Sequence, residues 1–200
     1  MTLLGVQIQP NLKWHKQVED LLKKLKKRLA GLSHLRNILH FDQRKRITGG
    51  MFTSVLVYCI PVFGGCDKAE MEALQIMQNK AARLVTWSPL RTSRREMFNK
   101  LGWLTVNQLV FYHSVLATYR IRASKEPEYL GRIMSRDNRG DKIIIPNTDL
   151  TLAKNSYCYR GAAQWNMLPE NIRKTYKIGQ FKSLLKKWIF QHVAQFVEDA

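Results

Sequence analysis

The chain has 200 residues, 45% of them hydrophobic and 10% aromatic, enough apolar surface to bury one sizeable core or two small ones and to exclude an intrinsically disordered polypeptide. Its charge is lopsided, with 33 Lys and Arg against 15 Asp and Glu, a formal +18 that exceeds what solubility needs and points to a polyanionic partner. Three cysteines, Cys59, Cys66 and Cys158, without paired spacing or a companion histidine cluster, argue against a disulfide framework and against zinc.

The opening residues carry no basic leader followed by an apolar block, so no secretory signal is expected and an intracellular location, nucleus or cytoplasm, is. Leu3 to Gln9 alternates after Gly5 and stops at Pro10-Asn11, which predicts a short strand with no partner close behind it. From Trp14 the period changes. Trp14, Val18, Leu21, Leu25, Leu29, Leu32, Leu35 and Leu39 recur at steps of three and four, the pattern of an amphipathic helix that Gly31 could bend. A second helix is expected from about Asp42 to Cys59, ending before Pro61. The apolar run Met51 to Gly65 is too short for a membrane span and is broken by Pro61 and Gly64-Gly65.

A third helix is expected from Asp67, where Asp67 and Glu70 make a capping box, with Leu74, Met77, Ala81 and Leu84 as its buried stripe. Thr105 and Gln108 repeat that logic ahead of a long, broadly apolar helix through Leu109, Tyr112 and Leu116. Between Met134 and Ser156 the pattern lapses through Arg136, Asp137, Asn138, Arg139, Gly140 and Asp141. Short β-like runs, Ile143 to Ile145 and Leu150 to Leu152, follow around Pro146-Asn147. The helical period then returns, ending in Ile178, Phe181, Leu185, Trp188, Ile189, Val193 and Phe196 on one face, with Lys182, Lys186 and Lys187 opposite.

No phosphate-cradling glycine loop, zincin pair or nucleophile elbow is present, and no adjacent aspartates could hold two metal ions about 4 Å apart. No partner carboxylate or nucleophile is identifiable for any of the five histidines, so solvated or core roles are expected. The signal that remains is basic. Lys13 to Arg46 holds eleven Lys or Arg against Glu19, Asp20 and Asp42, and Asn171 to Val197 holds several with no acid. Same-sign clusters repel one another unless a polyanion neutralises them, and releasing counterions from phosphate is the usual gain. The candidate contacts are Lys16, Lys23, Lys24, Lys26, Lys27, Arg28, Arg91, Arg94 and Arg95. Trp87, beside Ser88-Pro89 and ahead of those arginines, is the preferred base-stacking residue. The other tryptophans, Trp14, Trp103, Trp165 and Trp188, sit in apolar surroundings and are expected in the core.

Several strings in order carry a resemblance. Leu4-Gly5-Val6 precedes Asn11-Leu12-Lys13-Trp14, and Tyr58, Pro61, Phe63 and Gly64 follow. Gln78-Asn79-Lys80-Ala81-Ala82-Arg83 and Leu101-Gly102-Trp103-Leu104 come next, and then Ala163-Gln164-Trp165-Asn166-Met167-Leu168-Pro169-Glu170-Asn171-Ile172-Arg173 leads to Phe181-Lys182 and Leu184-Leu185. As an ordered set covering nearly the whole chain, they resemble the region after the polymerase core in reverse transcriptases of non-LTR, LINE-type retrotransposons of the jockey-like group.

The resemblance implies a palm-hairpin remnant at 1–13, a thumb-like helical bundle at 14–134, a connector loop or short hairpin at 135–155 and a C-terminal helical subdomain at 156–200. The fold class is therefore mainly α, a helical thumb-like bundle preceded by a short β-strand or hairpin. The family's aromatic-x-Asp-Asp box has no counterpart here. The chain is thus expected to be no enzyme as it stands and to need no cofactor, the Mg²⁺ of RNA-directed DNA polymerisation belonging to the absent palm. Expected partners are RNA, DNA or an RNA–DNA hybrid, gripped mostly through the backbone, together with the missing palm, and no membrane. The alternative is a helical protein-interaction module whose basic surface is merely solvated.

Overall fold

A computed structural model describes residues 1–134, 137–138, 141–145 and 147–192 and is mainly helical, with a short antiparallel hairpin at its N-terminus. In that hairpin β1 (Thr2–Leu3) pairs with β2 (Val6–Gln7), Thr2 opposite Gln7 and Leu3 opposite Val6. The expected strand is therefore not unpartnered. Leu4 and Gly5 both hold positive φ, 48° and 78°, and such a two-residue turn matches the twist of antiparallel strands. The Tyr58 hydroxyl donates to the Leu4 carbonyl at 2.7 Å, and the Gln7 N–H donates to the Gln17 side chain at 2.8 Å.

Helix α1 (His15–His34) buries Val18, Leu21, Leu25 and Leu32 and runs through Gly31 without a break, while Leu29, Leu35 and Leu39 are only half-buried. The single helix expected from Asp42 to Cys59 is instead α2 (Phe41–Thr48), a π-helical turn over Gly49–Thr53, and α3 (Ser54–Val57). Arg44, Thr48, Phe52 and Leu56 are all buried, at four-residue spacing. In an unbroken α-helix each such step drifts by about 40°, and the wider π turn absorbs the drift, so the four side chains keep one inward line. Cys59, at φ 54°, ends this stretch. The stretch thus ends before Pro61 as expected, and a separate short helix, α4 (Ile60–Phe63), follows with Pro61 in its first turn, where no N–H is needed.

Helix α5 (Lys68–Thr86) starts as expected, with the Glu70 carboxylate accepting from the Asp67 N–H at 3.0 Å. Its buried stripe runs through Leu74, Met77, Ala81, Ala82 and Val85, and Leu84 is only half-buried. Helix α6 (Arg94–Leu101), not foreseen, is capped by Ser93, whose hydroxyl accepts from the Glu96 N–H at 3.2 Å, and ends at Gly102 with φ 63°. Helix α7 (Val106–Ser124) begins with the predicted exchange: Thr105 N–H to the Gln108 side chain at 2.9 Å, Gln108 N–H to the Thr105 hydroxyl at 3.3 Å.

The chain divides into two compact units, Met1–Cys59 with Cys66–Leu109, and Ile60–Gly65 with Val110–Ala200. The division thus cuts α7 and returns a short early segment to the later unit, where the sequence suggests a boundary at 135–155. In the first unit α5 packs against α1, α2 and α6. Ala82, Val85, Met97, Phe98 and Leu101 form a buried cluster there, with Phe41 and Trp103 against it. Val85, Met97, Phe98 and Leu101 each contribute roughly 1.5–3 kcal/mol when fully buried.

The second unit holds the rest of α7, α8 (Glu128–Met134), a hairpin of β3 (Asp137–Asn138) and β4 (Lys142–Ile143), α9 (Thr151–Lys154), α10 (Tyr157–Asn166), α11 (Glu170–Arg173) and α12 (Ile178–Gln191). Leu150 to Leu152 is not β-like: Leu150 is the extended residue before a helical turn whose Lys154 N–H returns to its carbonyl at 3.1 Å. Arg136, Arg139, Gly140, Pro146, Val193 and Phe196 lie outside the described residues. Gly64 faces Val110 and Gly65 faces Asn155 so closely that a Cβ would lie 2.6 and 2.3 Å from them, and Arg160 donates to the Pro61 carbonyl at 2.7 Å. These contacts are what place Ile60–Gly65 in this unit.

Its core is aromatic. Phe181 stacks on Tyr119 at 4.2 Å and on Trp165 at 6.0 Å, and Phe111 on Trp188 at 5.6 Å. The end of α10 fastens β4. Trp165 Nε1 donates to the Asp141 carbonyl at 3.0 Å, and the Asn166 amide both accepts from and donates to the Ile143 backbone at 2.8 Å. Buried Arg173 donates to the Leu168 carbonyl at 2.5 Å, so the Trp165 to Arg173 string is a set of local fastenings.

Candidate nucleic-acid interface

Lys16, Lys23, Lys24, Lys26, Lys27 and Arg28 are all exposed on α1. They do not form one row. At about 100° per residue, Lys16, Lys23 and Lys27 fall within about 40° of one another, opposite the buried stripe, while Lys26 lies on one flank and Lys24 and Arg28 on the other. Lys26 shares a shallow depression of about 320 Å³ with Leu29, Ala30, Ser33, Met77 and Lys80, between α1 and α5.

The central stripe is not wholly uncompensated. Lys23 Nζ lies 2.7 Å from Glu19 and 3.8 Å from Asp20, both on the same face. The hydrogen bond and charge of Lys23 hold the Glu19 carboxyl below its ordinary range, and Glu19 in turn pushes the Lys23 ammonium up. Such exposed pairs are weak and salt-screened, so a phosphate can compete for Lys23.

The second group of candidates gathers beyond the C-terminus of α5. Trp87 is its C-cap residue, at φ 54° and ψ 36°, a left-handed conformation that costs a non-glycine residue roughly 1–2 kcal/mol. Its indole is 48% exposed. The residues that meet the ring are Arg36, whose guanidinium carbon lies 4.5 Å from its centroid, and Arg44, at 5.2 Å. Arg44 is buried and satisfied: it donates to the carbonyls of Val85 at 3.0 Å, Leu39 at 2.5 Å and Arg36 at 3.3 Å, neutralising the negative end of α5. Arg36 Nε is buried with no hydrogen-bond partner among the described residues.

After Trp87 the chain turns through Pro89 to Thr92. Arg83 holds that turn by donating to the carbonyls of Pro89 at 3.4 Å, Leu90 at 3.3 Å and Thr92 at 3.5 Å. Leu90 is 86% exposed, and Arg91, Arg94 and Arg95 are exposed, the last two on the first turn of α6. Sequence reading singled out neither Arg36 nor Arg44. Both belong to the cationic run it counted, and nothing local marks them as partners of a tryptophan so far down the chain. Of the tryptophans expected in the core, Trp165 and Trp188 are buried, and Trp14 and Trp103 are half-buried, Trp103 edge-on to Phe98 at 6.2 Å.

His15 has a carboxylate neighbour that sequence did not reveal, Glu70 at 3.2 Å, but that carboxylate also serves the α5 cap. Burial, with Arg120 nearby, lowers the His113 pKa, and burial raises Tyr112 and Cys158. Burial pushes Tyr157 up to about 12 against the opposing hydrogen bond from Thr118. Each of these shifts favours the neutral form. Among the described residues no group of three or more His, Cys, Asp or Glu is placed to hold a metal ion, and no helix is long and apolar enough to cross a membrane. Cys59 and Cys158 are free thiols.

Comparison with protein-family models, with curated proteins and with solved structures finds no match to this chain.

Proposed function

We propose that the chain is an intracellular nucleic-acid-binding module, a fragment of a non-LTR retrotransposon RNA-directed DNA polymerase that grips template and primer backbone and is not catalytic alone. The observation that carries this is the exposed stripe of Lys16, Lys23 and Lys27, flanked by Lys24, Lys26 and Arg28, on a chain with a formal net charge of +18. A helix face of that density attracts phosphate at long range and gains affinity by releasing counterions. Backbone contact of this kind is largely indifferent to sequence. The metal-holding carboxylates of such a polymerase have no counterpart in this sequence, so primer extension is not part of the proposal.

The test is fluorescence polarisation with labelled RNA, DNA and hybrid duplexes across a salt series. Affinity should fall about 10³-fold or more between 50 and 200 mM salt if six or more phosphates are engaged. Simultaneous Lys16→Glu, Lys23→Glu and Lys27→Glu substitution should remove most of it. A flat salt response, or unchanged retention by that triple variant, rejects the reading. One observation favours the alternative of a solvated basic face on a protein-interaction module: Lys23 is already paired with Glu19 and Asp20. The same triple variant separates the two readings.

A further inference from the structure

The region beyond α5 differs from the α1 stripe because it combines cations with exposed apolar and aromatic surface. The α1 stripe offers point charges alone, which suit a phosphate backbone whether its bases are paired or not. Trp87 offers a ring. It lies half in solvent, at the end of a long packed helix, with its backbone in a conformation that glycine would hold without strain. Its indole is positioned by the guanidinium of Arg36, and by that of Arg44, which is itself fixed by three backbone carbonyls. The buried Nε of Arg36 has no acceptor among the described residues. The following turn, tied down by Arg83, exposes Leu90 and leads to Arg91, Arg94 and Arg95.

A rigid, partly exposed indole amid guanidinium groups is the arrangement that takes the flat face of a base while neighbouring cations take its phosphates. A paired base inside a duplex cannot offer that face without first leaving the stack. We infer that Trp87, braced by Arg36 and Arg44, is a stacking platform for an unpaired base, so the chain takes single-stranded polynucleotide in preference to duplex. This rests on the nucleic-acid reading above and specifies the strand state that reading leaves open.

The experiment compares a fluorescein-labelled, mixed-sequence DNA strand of about twenty nucleotides, longer than one stacking site needs, with its duplex at low salt. The proteins are the full chain, Trp87→Gly and Trp87→Phe. Glycine suits the left-handed backbone and Phe keeps a ring, so a folding defect in one is exposed by the other, and far-ultraviolet circular dichroism checks both. The full chain should bind the single strand more tightly than the duplex. Trp87→Gly should weaken single-strand binding about 5- to 30-fold and duplex binding less than about twofold, with Trp87→Phe in between. Equal losses on both probes, or no loss on either while the full chain still binds, overturns the stacking platform and leaves the backbone-gripping reading intact. Failure of the full chain to bind either probe at low salt overturns both.

Discussion

Trp87 and Trp165 each lie under an arginine near the end of a helix, Trp87 beneath Arg36 at 4.5 Å and Trp165 beneath Arg122 at 5.2 Å, yet one is 48% exposed and the other 1%. The difference comes from the backbone. Trp165 is still within α10, so its ring follows the buried face between Gly161, Ala162 and Phe181, and its N–H is committed to the Asp141 carbonyl. Trp87 has stepped into the left-handed region after α5, which turns its ring off the line of Ala82 and Val85 and into solvent. Of these two arginine-paired tryptophans, the one inside its helix is buried and the one beyond its helix end is exposed.

The contrast can be broken most decisively at Trp165. Trp165→Ala removes a fully buried ring and should cost about 3–5 kcal/mol, read as a large fall in the denaturant midpoint. A loss below about 1 kcal/mol would put Trp165 in the same category as Trp87. A somewhat smaller effect should appear at the opposite end of α10, where Tyr157 is held neutral by burial up to about pH 12. The folded state keeps this proton more tightly than the unfolded chain, whose tyrosine titrates near 10. Its contribution is therefore present below pH 10 and is lost as pH rises towards 12. The loss should be about 2–3 kcal/mol in alkaline unfolding curves and should be absent from Tyr157→Phe. The smallest change in stability is expected for Trp87→Gly. Relief of the left-handed strain and loss of the arginine–indole contacts oppose each other, leaving a net shift within about 1 kcal/mol by thermal melting.

What was legible in the sequence was local. Asp67 with Glu70 and Thr105 with Gln108 announced their helices because both partners of each cap lie within four residues, and Ser93 with Glu96 carries the same signal for α6. The apolar stripe of α1 was legible for the same reason, and so were the exposed lysines opposite it. The turn at Leu4-Gly5 is harder to see because leucine is an unusual occupant of a positive-φ position, and the alternating pattern runs on to Gln9. The Arg36, Arg44 and Trp87 constellation depends on how α2 and α5 pack, which no window of sequence contains. Asn166 is a related case, since its amide mimics a strand partner for Ile143 across a stretch whose pattern reads only as a connector.

The π-helical turn at Gly49–Thr53 has a consequence for how this chain tolerates change. Because it holds one more residue than an α turn, removing Gly49 or Gly50 would let the segment close into ordinary helix with the turns on either side rotated by only a few tens of degrees. Phe52 and Leu56 would then stay close to the line set by Arg44 and Thr48, one residue nearer in sequence. In this stretch a one-codon deletion should be tolerated far better than elsewhere in the helix, and so should replacement of either glycine by alanine, since both glycines have open space where a methyl group would go.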